Sequence, residues 1–591
     1  MAIEIPYKSV SELFQNAIDK FGDRPIFGTK KAGKYQWMTF AEFDVRMRKL
    51  RSAMKKMGID KGDVVGIIAG NSVEFALTVY ATYGLGAIVV PMYEVQKPSD
   101  WEYIIKDAGI KLLVVGNDNI KKEIESFHIE NVKRILVIRP TNAKDPDSFN
   151  LVVDEETEFL SHIEMTGDEI ADYVYTSGTT GNPKGVELSH RNLVEDILRT
   201  ASSFPIGPTD RTMAFLPWAH AFGKTVELLL FPCHGTAVGL VESNRTIVAN
   251  FKEVNPTILV SVPKIFTKIY DTVHQKIKDK TVTRMLFAHT QKLAHQAKND
   301  AKLSALDKIQ FKVLDNIVGS KVRSVFGNSL RFCISGGAAL SEEIAQFFID
   351  FGVEIYEGYG MTECSPVVGA NSPQTGRKVG SVGRPFEGVP VRIEVDPDSD
   401  DGKQGEIIIG GPIVMQRYHN MPEATAEVLT ENHELRTGDM GYLDEDGFLF
   451  ITGRVKEQYK LENGKYVVPS ALEAKIMSSL MIETCVIFGS NKPYNVAVIQ
   501  PTEDFLKKFK ADNNLESATN EALEQNEKLH AEMEAELNKV CESFRGYEKP
   551  RKFFITLDEF TIQAGLMTPA LKIKRREVEK KYSARIEALY N

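Results

Sequence analysis

Apolar positions recur along the chain with two different spacings, and the two kinds of segment alternate. Residues 9–21 and 40–57 place apolar side chains three and four positions apart, which is the spacing of an amphipathic helix. Short runs rich in valine, isoleucine and leucine, at residues 63–69, 88–91 and 110–115, are typical of buried strands. Strands that alternate with helices in this way predict an α/β fold with a largely parallel sheet.

Three stretches rich in glycine and other small residues follow predicted strands, at residues 176–185, 335–339 and 357–363. Glycine adopts positive φ at no steric cost, so such turns can aim several backbone N–H groups at one bound anion. Ligands of α/β folds bind beyond the ends of the strands, where these turns are predicted to lie. The three turns are therefore the first candidates for a binding site.

The first turn is the richest in groups that bind phosphate. It carries four hydroxyl groups and Lys184, and we expect it to connect a strand at 170–175 to a helix at 191–202. Its spacing differs from that of the common nucleotide P-loop, because two residues separate Gly181 from the lysine and no hydroxyl follows the lysine. From composition alone, a polyphosphate site and an ordinary surface loop are equal alternatives.

Beyond about residue 380 the pattern changes to short β-rich pieces separated by glycine, proline and aspartate, which predicts a small antiparallel or barrel-like subdomain. A segment dense in charged residues, 454–465, follows it. We therefore divide the chain into a large domain at 1–453, with the β-rich subdomain at about 380–453, a hinge at 454–465 and a small α+β domain at 466–591.

Composition narrows the classes of function. The 591 residues are 43% hydrophobic and 26% charged, as in an ordinary globular protein, and a net charge of −9 argues against general affinity for nucleic acid. Five scattered cysteines form no CxxC pair, which fits a reducing compartment and indicates no cysteine metal site. The N-terminus lacks the pattern of a signal peptide, and no apolar run reaches the length of a membrane span. We expect a cytoplasmic protein and leave peripheral contact with a membrane open.

The motifs, in this order, resemble those of the adenylate-forming superfamily, which includes acyl-CoA synthetases, firefly luciferase and the adenylation domains of peptide synthetases. Residues 176–185 resemble its phosphate loop and residues 359–363 its adenylate loop, and a Thr-Gly-Asp sequence stands at 437–439. The resemblance covers essentially the whole chain. It implies a large α/β domain followed by a small, mobile α+β domain.

The resemblance implies a nucleotide site built from the three turns. The first turn would hold the β- and γ-phosphates of ATP, with Lys184 as a point charge. The other residues of this turn are Thr176, Ser177, Gly178, Thr179, Thr180 and Gly181. The second and third turns would form the adenine slot, with Tyr359 packed along the base. The other residues of this slot are Gly336, Gly337, Ala338, Glu357 and Gly358.

Individual residues take further roles from the same resemblance. Thr362 would bind the α-phosphate, and Glu363 would ligate Mg²⁺, because a hard cation that bridges phosphate oxygens needs a carboxylate. Asp439 would accept both ribose hydroxyls, and Arg454 would contact ribose and phosphate. Lys456 stands at the hinge position about which the small domain would rotate.

The resemblance assigns Lys572 to the reacting groups. Residues 568–575 resemble the family's terminal motif, whose lysine bridges the acyl carboxylate and the α-phosphate. A cation delivered by a closing domain brings two anions together and stabilises the charge of the transition state. The motif departs from the common Ser-Gly-Lys form, since alanine and leucine precede the lysine, and this leaves the loop geometry open. A solvated basic helix start is the alternative interpretation.

Within the superfamily, residues 261–340, which include a long helical insert, and the terminal segment 565–572 resemble long-chain fatty acyl-CoA synthetases. In that group the segment 216–222 lines the acyl entrance. His220 would then lie beside the substrate carboxylate, and Trp218 is a candidate gate of the acyl tunnel. Such a tunnel would have to be apolar, because each CH₂ removed from water is worth about 0.8 kcal/mol.

The resemblance thus predicts an AMP-forming acid–thiol ligase. ATP and a fatty acid would give acyl-adenylate and pyrophosphate, and CoA would then displace AMP, with Mg²⁺ as cofactor. Two alternatives stay open, namely transfer of the acyl group to the phosphopantetheine of an acyl carrier protein, and a nucleotide-binding protein without turnover. Nucleic acid is not an expected partner, because the basic tract at 572–581 lies in a chain of net charge −9.

Overall fold

Short strands and helices alternate along the chain in the computed structural model, as the apolar pattern predicts. The structure describes residues 5–176, 182–243, 245–278, 281–298, 304–395, 402–542, 544–568 and 572–591. Up to the first glycine-rich turn the elements are α1 Val10–Phe21, β1 Pro25–Lys31, β2 Lys34–Thr39, α2 Phe40–Lys56, β3 Val64–Ile68, α3 Val73–Gly84, β4 Ile88–Met92, α4 Pro98–Asp107, β5 Leu112–Asn117, α5 Asp118–Ser126, β6 Arg134–Arg139, α6 Phe149–Glu155 and β7 Ile170–Thr176.

The middle of the chain contains the second and third glycine-rich turns and a helical insertion. Its elements are β8 Lys184–Ser189, α7 His190–Ser203, β9 Arg211–Ala214, a π-helix Gly223–Leu230, α8 Phe231–Cys233, β10 Ala237–Leu240, α9 Ile247–Val254, β11 Ile258–Ser261, α10 Pro263–Lys278, α11 Thr281–Lys298, α12 Ala305–Leu314, a π-turn Asp315–Gly319, α13 Ser320–Arg323, a 3₁₀ turn Ser324–Phe326, β12 Phe332–Ser335, α14 Glu342–Asp350, β13 Ile355–Gly360, a 3₁₀ turn Thr362–Cys364, β14 Val367–Ala370 and β15 Arg384–Pro385.

The last third of the chain has shorter strands and ends in a long helix. Its elements are β16 Val391–Val395, β17 Gly405–Ile409, β18 Arg417–Tyr418, α15 Pro422–Val428, β19 Leu435–Leu443, β20 Leu449–Arg454, β21 Tyr459–Lys460, β22 Tyr466–Val467, α16 Pro469–Ile476, β23 Ile482–Phe488, β24 Asn495–Pro501, α17 Glu503–Asp512, α18 Asn520–Glu524, α19 Glu527–Val540, β25 Pro550–Ile555 and α20 Arg575–Ala588. Among the residues described, no helix is both long enough and apolar enough to cross a membrane.

The largest sheet has seven strands in the order β18-β8-β7-β4-β3-β5-β6. The strands from β7 to β6 in this order run parallel, whereas β8 and β18 extend the sheet in antiparallel pairs. Strands β3 and β4 are buried at every position, as expected for a parallel sheet covered on both faces. The predicted α/β fold with a largely parallel sheet is confirmed.

The first glycine-rich turn joins the two strands of a hairpin, and the prediction of a strand followed directly by a helix is wrong at this point. β7 ends at Thr176, β8 begins at Lys184, and these two residues are paired. The predicted helix follows only after β8. The apolar pattern did not indicate β8 because Glu187 stands at its centre. Glu187 is buried through ion pairs with Arg417 and His419, which come from a distant part of the chain.

Two smaller sheets have the orders β11-β12-β13-β14-β15 and β2-β1-β10-β9. No strand was predicted at β1 or β2, because β2 is partly or fully exposed along its whole length and lacks an apolar run. Strand β13 continues through Gly360, so residues 357–360, which were predicted to belong to a turn, are extended. The third turn begins only after them, at the 3₁₀ turn Thr362–Cys364.

The chain divides into two compact units. The first comprises Met1–Arg392, Ile408–Arg436 and Glu445–Leu449, and the second comprises Ile393–Ile407, Thr437–Asp444 and Phe450–Asn591. A four-stranded sheet, β16-β17-β19-β20, is built mainly from residues of the second unit. The sequence-based division instead assigned this β-rich segment to the large domain.

The core of the second unit surrounds the three-stranded sheet β23-β24-β25. Alternate side chains of β24 enter two apolar clusters, with Ala497 and Ile499 in one and Val496 and Val498 in the other. Helices α16 and α19 pack in the first cluster and α20 in the second. Helices α18 and α19 are separate, because the side chain of Asn526 caps the start of α19.

A buried ion pair holds the start of α20 against this sheet. Arg575 Nη2 donates to Glu473 Oε2 at 2.6 Å, and Arg575 Nη1 donates to the carbonyl of Ile487 at 2.6 Å. Glu473 Oε1 accepts the backbone N–H of Ile487 at 2.7 Å. Burial raises the pKa of Glu473 even beside the arginine. The pair therefore fixes the point at which the chain leaves the loop that contains Lys572.

Replacing Arg575 with methionine should lower the free energy of unfolding by about 3 kcal/mol, because it leaves the Glu473 carboxylate buried without its cation. Urea denaturation followed by circular dichroism measures the change. Arg576→Met is the matched control, since Arg576 is exposed and its loss should matter little. Adding Glu473→Gln to Arg575→Met should restore part of the stability. A double variant as unstable as Arg575→Met would contradict this explanation.

Candidate functional site

Tyr418, which the sequence analysis did not single out, brings Lys184 and Glu363 together. Its hydroxyl donates to Glu363 Oε1 at 2.8 Å, and Lys184 Nζ lies 4.8 Å from the centre of its ring, within the range of a cation–π contact. Burial raises the pKa of the Tyr418 phenol, so the hydroxyl stays protonated and donates. Tyr418 reaches this position because β18 pairs with β8, with Tyr418 opposite Val186.

The segment before Tyr418 also lies along the third turn. The backbone N–H of Met415 donates to the Glu363 carbonyl at 2.9 Å, and Ser365 Oγ donates to the Ile413 carbonyl at 2.7 Å. Glu363 is only 8% exposed. Both the backbone and the carboxylate of Glu363 are therefore held by the segment that also pairs with the hairpin.

Glu363 is the residue of this site that suits a divalent cation. Among the described residues, no cluster of three or more His, Cys, Asp or Glu side chains could hold a metal ion. A protein site with a single carboxylate fits Mg²⁺, which takes its other ligands from phosphate groups and water. Such a site needs a phosphate-bearing ligand close to Glu363.

The second turn follows β12 and is closed by main-chain contacts. The N–H of Gly336 donates to the Ser261 carbonyl at 3.1 Å, and Gly337 has φ +81°, a conformation that favours glycine. A Cβ atom on Gly336 would lie 2.9 Å from the ring of Phe222. Gly337 and Ala338 are exposed. The turn thus presents backbone to solvent while Phe222 packs on its buried side.

Glu357 connects the second turn to β13. Its carboxylate accepts the backbone N–H of Leu340, and burial raises its pKa to about 7. Side chains alternate along a strand, so Glu357 and Tyr359 lie on the same face of β13, while Gly358 pairs with Ala370. The residues predicted for an adenine slot are therefore contiguous in space.

A fourth segment, residues 216–222, is fixed by a buried carboxyl group. Glu227 Oε1 accepts the backbone N–H groups of Phe215 and Leu216 at 3.4 and 3.3 Å, and Oε2 accepts the Trp218 indole N–H at 3.2 Å. Asn71 holds the same segment, since its Oδ1 accepts the Trp218 N–H at 2.9 Å and its Nδ2 donates to the Leu216 carbonyl at 2.8 Å. Leu216 and Trp218 are thus held from two sides.

Trp218 and His220, both predicted to lie at an acyl entrance, occupy different environments. Trp218 is 0% exposed and packs on Phe27 and Phe75, so any gating motion would have to break its bond to Glu227. His220 Nδ1 accepts the backbone N–H of Phe222 at 3.2 Å. Because the Phe222 ring packs on the second turn, His220 lies near that turn.

The π-helix joins this fourth segment to the hairpin and to the third turn. The ammonium group of Lys224 forms an ion pair with Asp172 of β7, and both side chains are buried. Tyr83 donates to the same carboxylate at 2.9 Å, and Thr225 Oγ1 donates to the Ser365 carbonyl at 3.2 Å. Hydrogen bonds and packing thus connect the hairpin, the two other turns and the 216–222 segment within the first unit.

In the second unit, Asp439 and Arg454 are neighbours. Arg454 Nε lies 3.1 Å from Asp439 Oδ1, and Asp439 is buried. The N–H of Asp439 donates to Thr437 Oγ1 at 3.0 Å, and Gly438 between them has φ +71°. Lys456 is exposed in the turn that follows β20.

Lys572 lies three residues before the first residue of α20, outside that helix. The Thr568 N–H donates to the Lys572 carbonyl at 2.8 Å, and the Lys572 N–H donates to Thr568 Oγ1 at 3.1 Å. Met567 and Ile573 form an isolated β-bridge beside them. The Lys572 residue is exposed. Two hydrogen bonds therefore hold Thr568 next to Lys572.

Part of the predicted site lies outside the described residues. These positions are Ser177, Gly178, Thr179, Thr180 and Gly181. Of the predicted phosphate loop, the structure describes Thr176, whose hydroxyl lies 3.5 Å from the Lys184 carbonyl, and Lys184. Thr362 is buried next to Glu363. Tyr418 and Glu227 gave no signal in the sequence, because their partners are known only once the strands and the π-helix are placed.

Most of the chain is similar to known proteins. Residues 14–419 match the model of AMP-binding enzymes, and residues 456–591 match that of the AMP-binding enzyme C-terminal domain. A long-chain-fatty-acid–CoA ligase of Mycobacterium bovis is 31% identical over 571 residues, which cover 95% of this chain and 93% of that protein.

Two further similarities extend over nearly the whole chain. A peroxisomal long chain acyl-CoA synthetase of Arabidopsis thaliana is 28% identical over 606 residues, covering 98% of this chain and 85% of that protein. The crystal structure of an anthranilate CoA ligase in complex with anthranoyl-AMP has the same fold, with a TM-score of 0.73 at 21% identity and 98% of both chains covered. With both family models matched in order along the sequence, this chain belongs to the AMP-binding enzymes.

Proposed function

We propose that the protein is a fatty acid–CoA ligase that works through an acyl-adenylate and takes long-chain acids. In the first step, a carboxylate oxygen of the acid attacks the α-phosphorus of ATP, and the bond to pyrophosphate breaks. In the second step, the CoA thiol loses its proton and attacks the acyl carbon, and AMP leaves. The names of the relatives support the substrate class, and the site supports the chemistry.

The contact of Tyr418 with both Lys184 and Glu363 carries this proposal. A cation over the ring of a tyrosine and a carboxylate bonded to the hydroxyl of the same tyrosine suit a polyphosphate with its divalent cation. Glu363 is the residue that would hold Mg²⁺. When bound, Mg²⁺ would neutralise charge on the phosphate oxygens. Thr362, next to it, would contact the α-phosphate.

The remaining nucleotide contacts follow from the neighbouring turns. Tyr359 would pack along the adenine, with Glu357 and the second turn bordering the base. Lys184 and the residues of the hairpin tip would hold the β- and γ-phosphates. This arrangement keeps the two outer phosphates together, as release of intact pyrophosphate requires. Residues 216–222 would border the acid, with His220 nearest its carboxylate.

The second unit would contribute the other charged groups. Asp439 would accept the ribose hydroxyls, and Arg454, already paired with Asp439, would contact ribose and phosphate. Lys572 would bring the acyl carboxylate and the α-phosphate together by binding both anions. Lys456 would be the hinge residue. These four roles rest on the family resemblance.

Analysis of the products tests the proposed function directly. The protein should convert ATP, Mg²⁺, a long-chain fatty acid and CoA into equal amounts of AMP, pyrophosphate and acyl-CoA, as measured by liquid chromatography and mass spectrometry. A parallel reaction offers a holo-acyl carrier protein in place of CoA. Acyl transfer to the carrier but not to CoA would overturn the assignment of the acceptor. Nucleotide binding without any turnover would overturn the assignment as an enzyme.

Lys572→Ala should slow acid-dependent exchange of pyrophosphate into ATP by about a hundredfold or more, because it removes a cation that stabilises the adenylation transition state. Thioester formation from supplied acyl-adenylate and CoA should survive. Lys580→Ala, an exposed lysine on α20, is the matched control. An equal loss in both half-reactions would show that Lys572 has a different role.

Tyr418→Phe should raise the Mg²⁺ concentration needed for half-maximal adenylation, because the Glu363 carboxylate loses the donor that orients it. The loss of a hydrogen bond to a charged group predicts an effect of about tenfold. Glu363→Gln should have a larger effect of the same kind, while binding of the free fatty acid stays unchanged in both variants. Tyr35→Phe, which removes a hydroxyl bonded to the Leu240 carbonyl, is the control. Equal losses of adenylation and acid binding would indicate that Glu363 is structural.

Adenosine affinity should fall as the pH rises from 6 to 8. Burial raises the pKa of Glu357 to about 7. The carboxyl group is therefore mainly neutral at pH 6 and mainly charged at pH 8. A bound base removes further water from the carboxyl group and should therefore favour the neutral form. Adenosine is the probe because it carries no phosphate that titrates. Calorimetry should find this pH dependence flattened in Glu357→Gln, and an unchanged dependence would contradict the assignment.

A further inference from the structure

Helix α12 presents an apolar face to solvent. Leu306, Ile309 and Val313 recur at intervals of three and four residues, so they lie on one side of the helix, and Ile317 continues this side in the following π-turn. All four are more than half exposed. None of the residues of α12 is buried. An apolar helix face without a covering partner is unusual at the surface of a globular protein.

Helix α11 adds two side chains to the same surface. His289 Nε2 and Gln310 Oε1 are 3.4 Å apart, which fixes how α11 lies against α12. Met285 and Leu286 lie about one turn before His289 and are exposed. The next residue, Phe287, points the other way and is buried in the core. The six residues Met285, Leu286, Leu306, Ile309, Val313 and Ile317 are called the apolar stripe below. It contains the five most exposed large apolar side chains among the described residues.

The sequence around the apolar stripe is strongly basic. Residues 263–323 contain thirteen lysines and arginines, five aspartates and no glutamate, which is a net charge of +8 in a chain whose total is −9. The rest of the chain therefore has a net charge of −17. Lys308 and Lys312 are exposed and lie on α12 itself, between residues of the stripe in the sequence. The apolar surface and the positive charge thus occur together.

We propose that the apolar stripe and its lysines dock on a bilayer surface that contains anionic lipids. A helix with one apolar face and flanking lysines lies in the membrane interface, where apolar burial and attraction to anionic headgroups add together. A second copy of the chain is a poorer partner for this surface, because it would oppose one region of net charge +8 to another. None of the residues assigned to the chemistry belongs to this docking surface.

This docking gives the proposed function a source of substrate, and in that respect it rests on the proposed function. A long-chain acid partitions into bilayers, so an enzyme held at the surface would meet it where it is concentrated. Lipid binding itself needs no turnover. A failure of lipid binding and a failure of ligase activity would therefore be observed separately.

Sedimentation with vesicles tests the docking surface. The full-length protein should bind vesicles of phosphatidylcholine with phosphatidylglycerol, and bind vesicles of phosphatidylcholine alone at least about tenfold more weakly. Two variants should each lose about tenfold or more of the binding to anionic vesicles. The apolar variant is Leu306→Gln/Ile309→Gln/Val313→Gln, and the charge variant is Lys308→Glu/Lys312→Glu. All substituted residues are exposed, so circular dichroism should show both variants folded.

Matched controls carry the same substitutions at other exposed positions of the first unit. Two control variants should bind anionic vesicles as well as the unchanged protein does. They are Val45→Gln/Val95→Gln/Val248→Gln and Lys122→Glu/Lys144→Glu. The apolar variant should keep its rate with octanoic acid, which dissolves in water, and lose rate with a long-chain acid supplied in anionic vesicles.

Three results would overturn the proposal. One is equal binding of the unchanged protein to neutral and anionic vesicles, or binding to neither. Another is undiminished binding of the apolar variant. The third is self-association of the unchanged protein, seen by light scattering without vesicles and abolished in the apolar variant, which would assign the stripe to a contact between copies of the chain.

Discussion

The hydrogen bond between Tyr418 and Glu363 depends on the antiparallel pairing of β18 with β8, and so does the contact between Tyr418 and Lys184. That pairing places the ring of Tyr418 against Lys184 on the hairpin, and the Tyr418 hydroxyl against the Glu363 carboxylate on the third turn. The same short strand brings Arg417 to Glu187, and His419, the residue after the strand, reaches the same carboxylate. These two partners allow a charged residue to lie buried in the sheet. A charged residue at the centre of β8 is thus what ties two distant parts of the chain together.

The hairpin explains why the first turn differs from the common nucleotide P-loop. That loop leads into a helix, whose N-terminus attracts phosphate through unpaired N–H groups and the helix dipole. Here the turn leads into β8, and the helix begins only six residues after Lys184. In the proposed function the lysine and the turn would therefore attract the phosphates without a helix terminus. Such a site would hold the outer two phosphates as a leaving group while bond formation occurs at the innermost one.

Local features of this fold could be predicted from the sequence, and features that depend on distant contacts could not. The apolar runs of β3 and β4 and the spacing in α1 indicate their structure, because burial there follows from neighbouring residues. β8 escaped prediction since Glu187 is buried only through partners more than two hundred residues away. Tyr418 escaped because its partners Glu363 and Lys184 are brought to it only by the pairing of β18 with β8. Glu227 escaped because its bonds to the nearby 215–218 segment form only once the π-helix is placed. The roles proposed for Glu363 and Asp439 come from the family resemblance. The structure shows which residues contact these two carboxylates.

In the proposed reaction the acid's carboxylate attacks the α-phosphorus of ATP and pyrophosphate leaves intact. A fatty acid labelled with heavy oxygen in its carboxyl group tests this step in a complete reaction with ATP, Mg²⁺ and CoA. Mass spectrometry should then find one labelled oxygen in the AMP released and none in the pyrophosphate. Label in pyrophosphate or in inorganic phosphate, or AMP without label, would contradict this step.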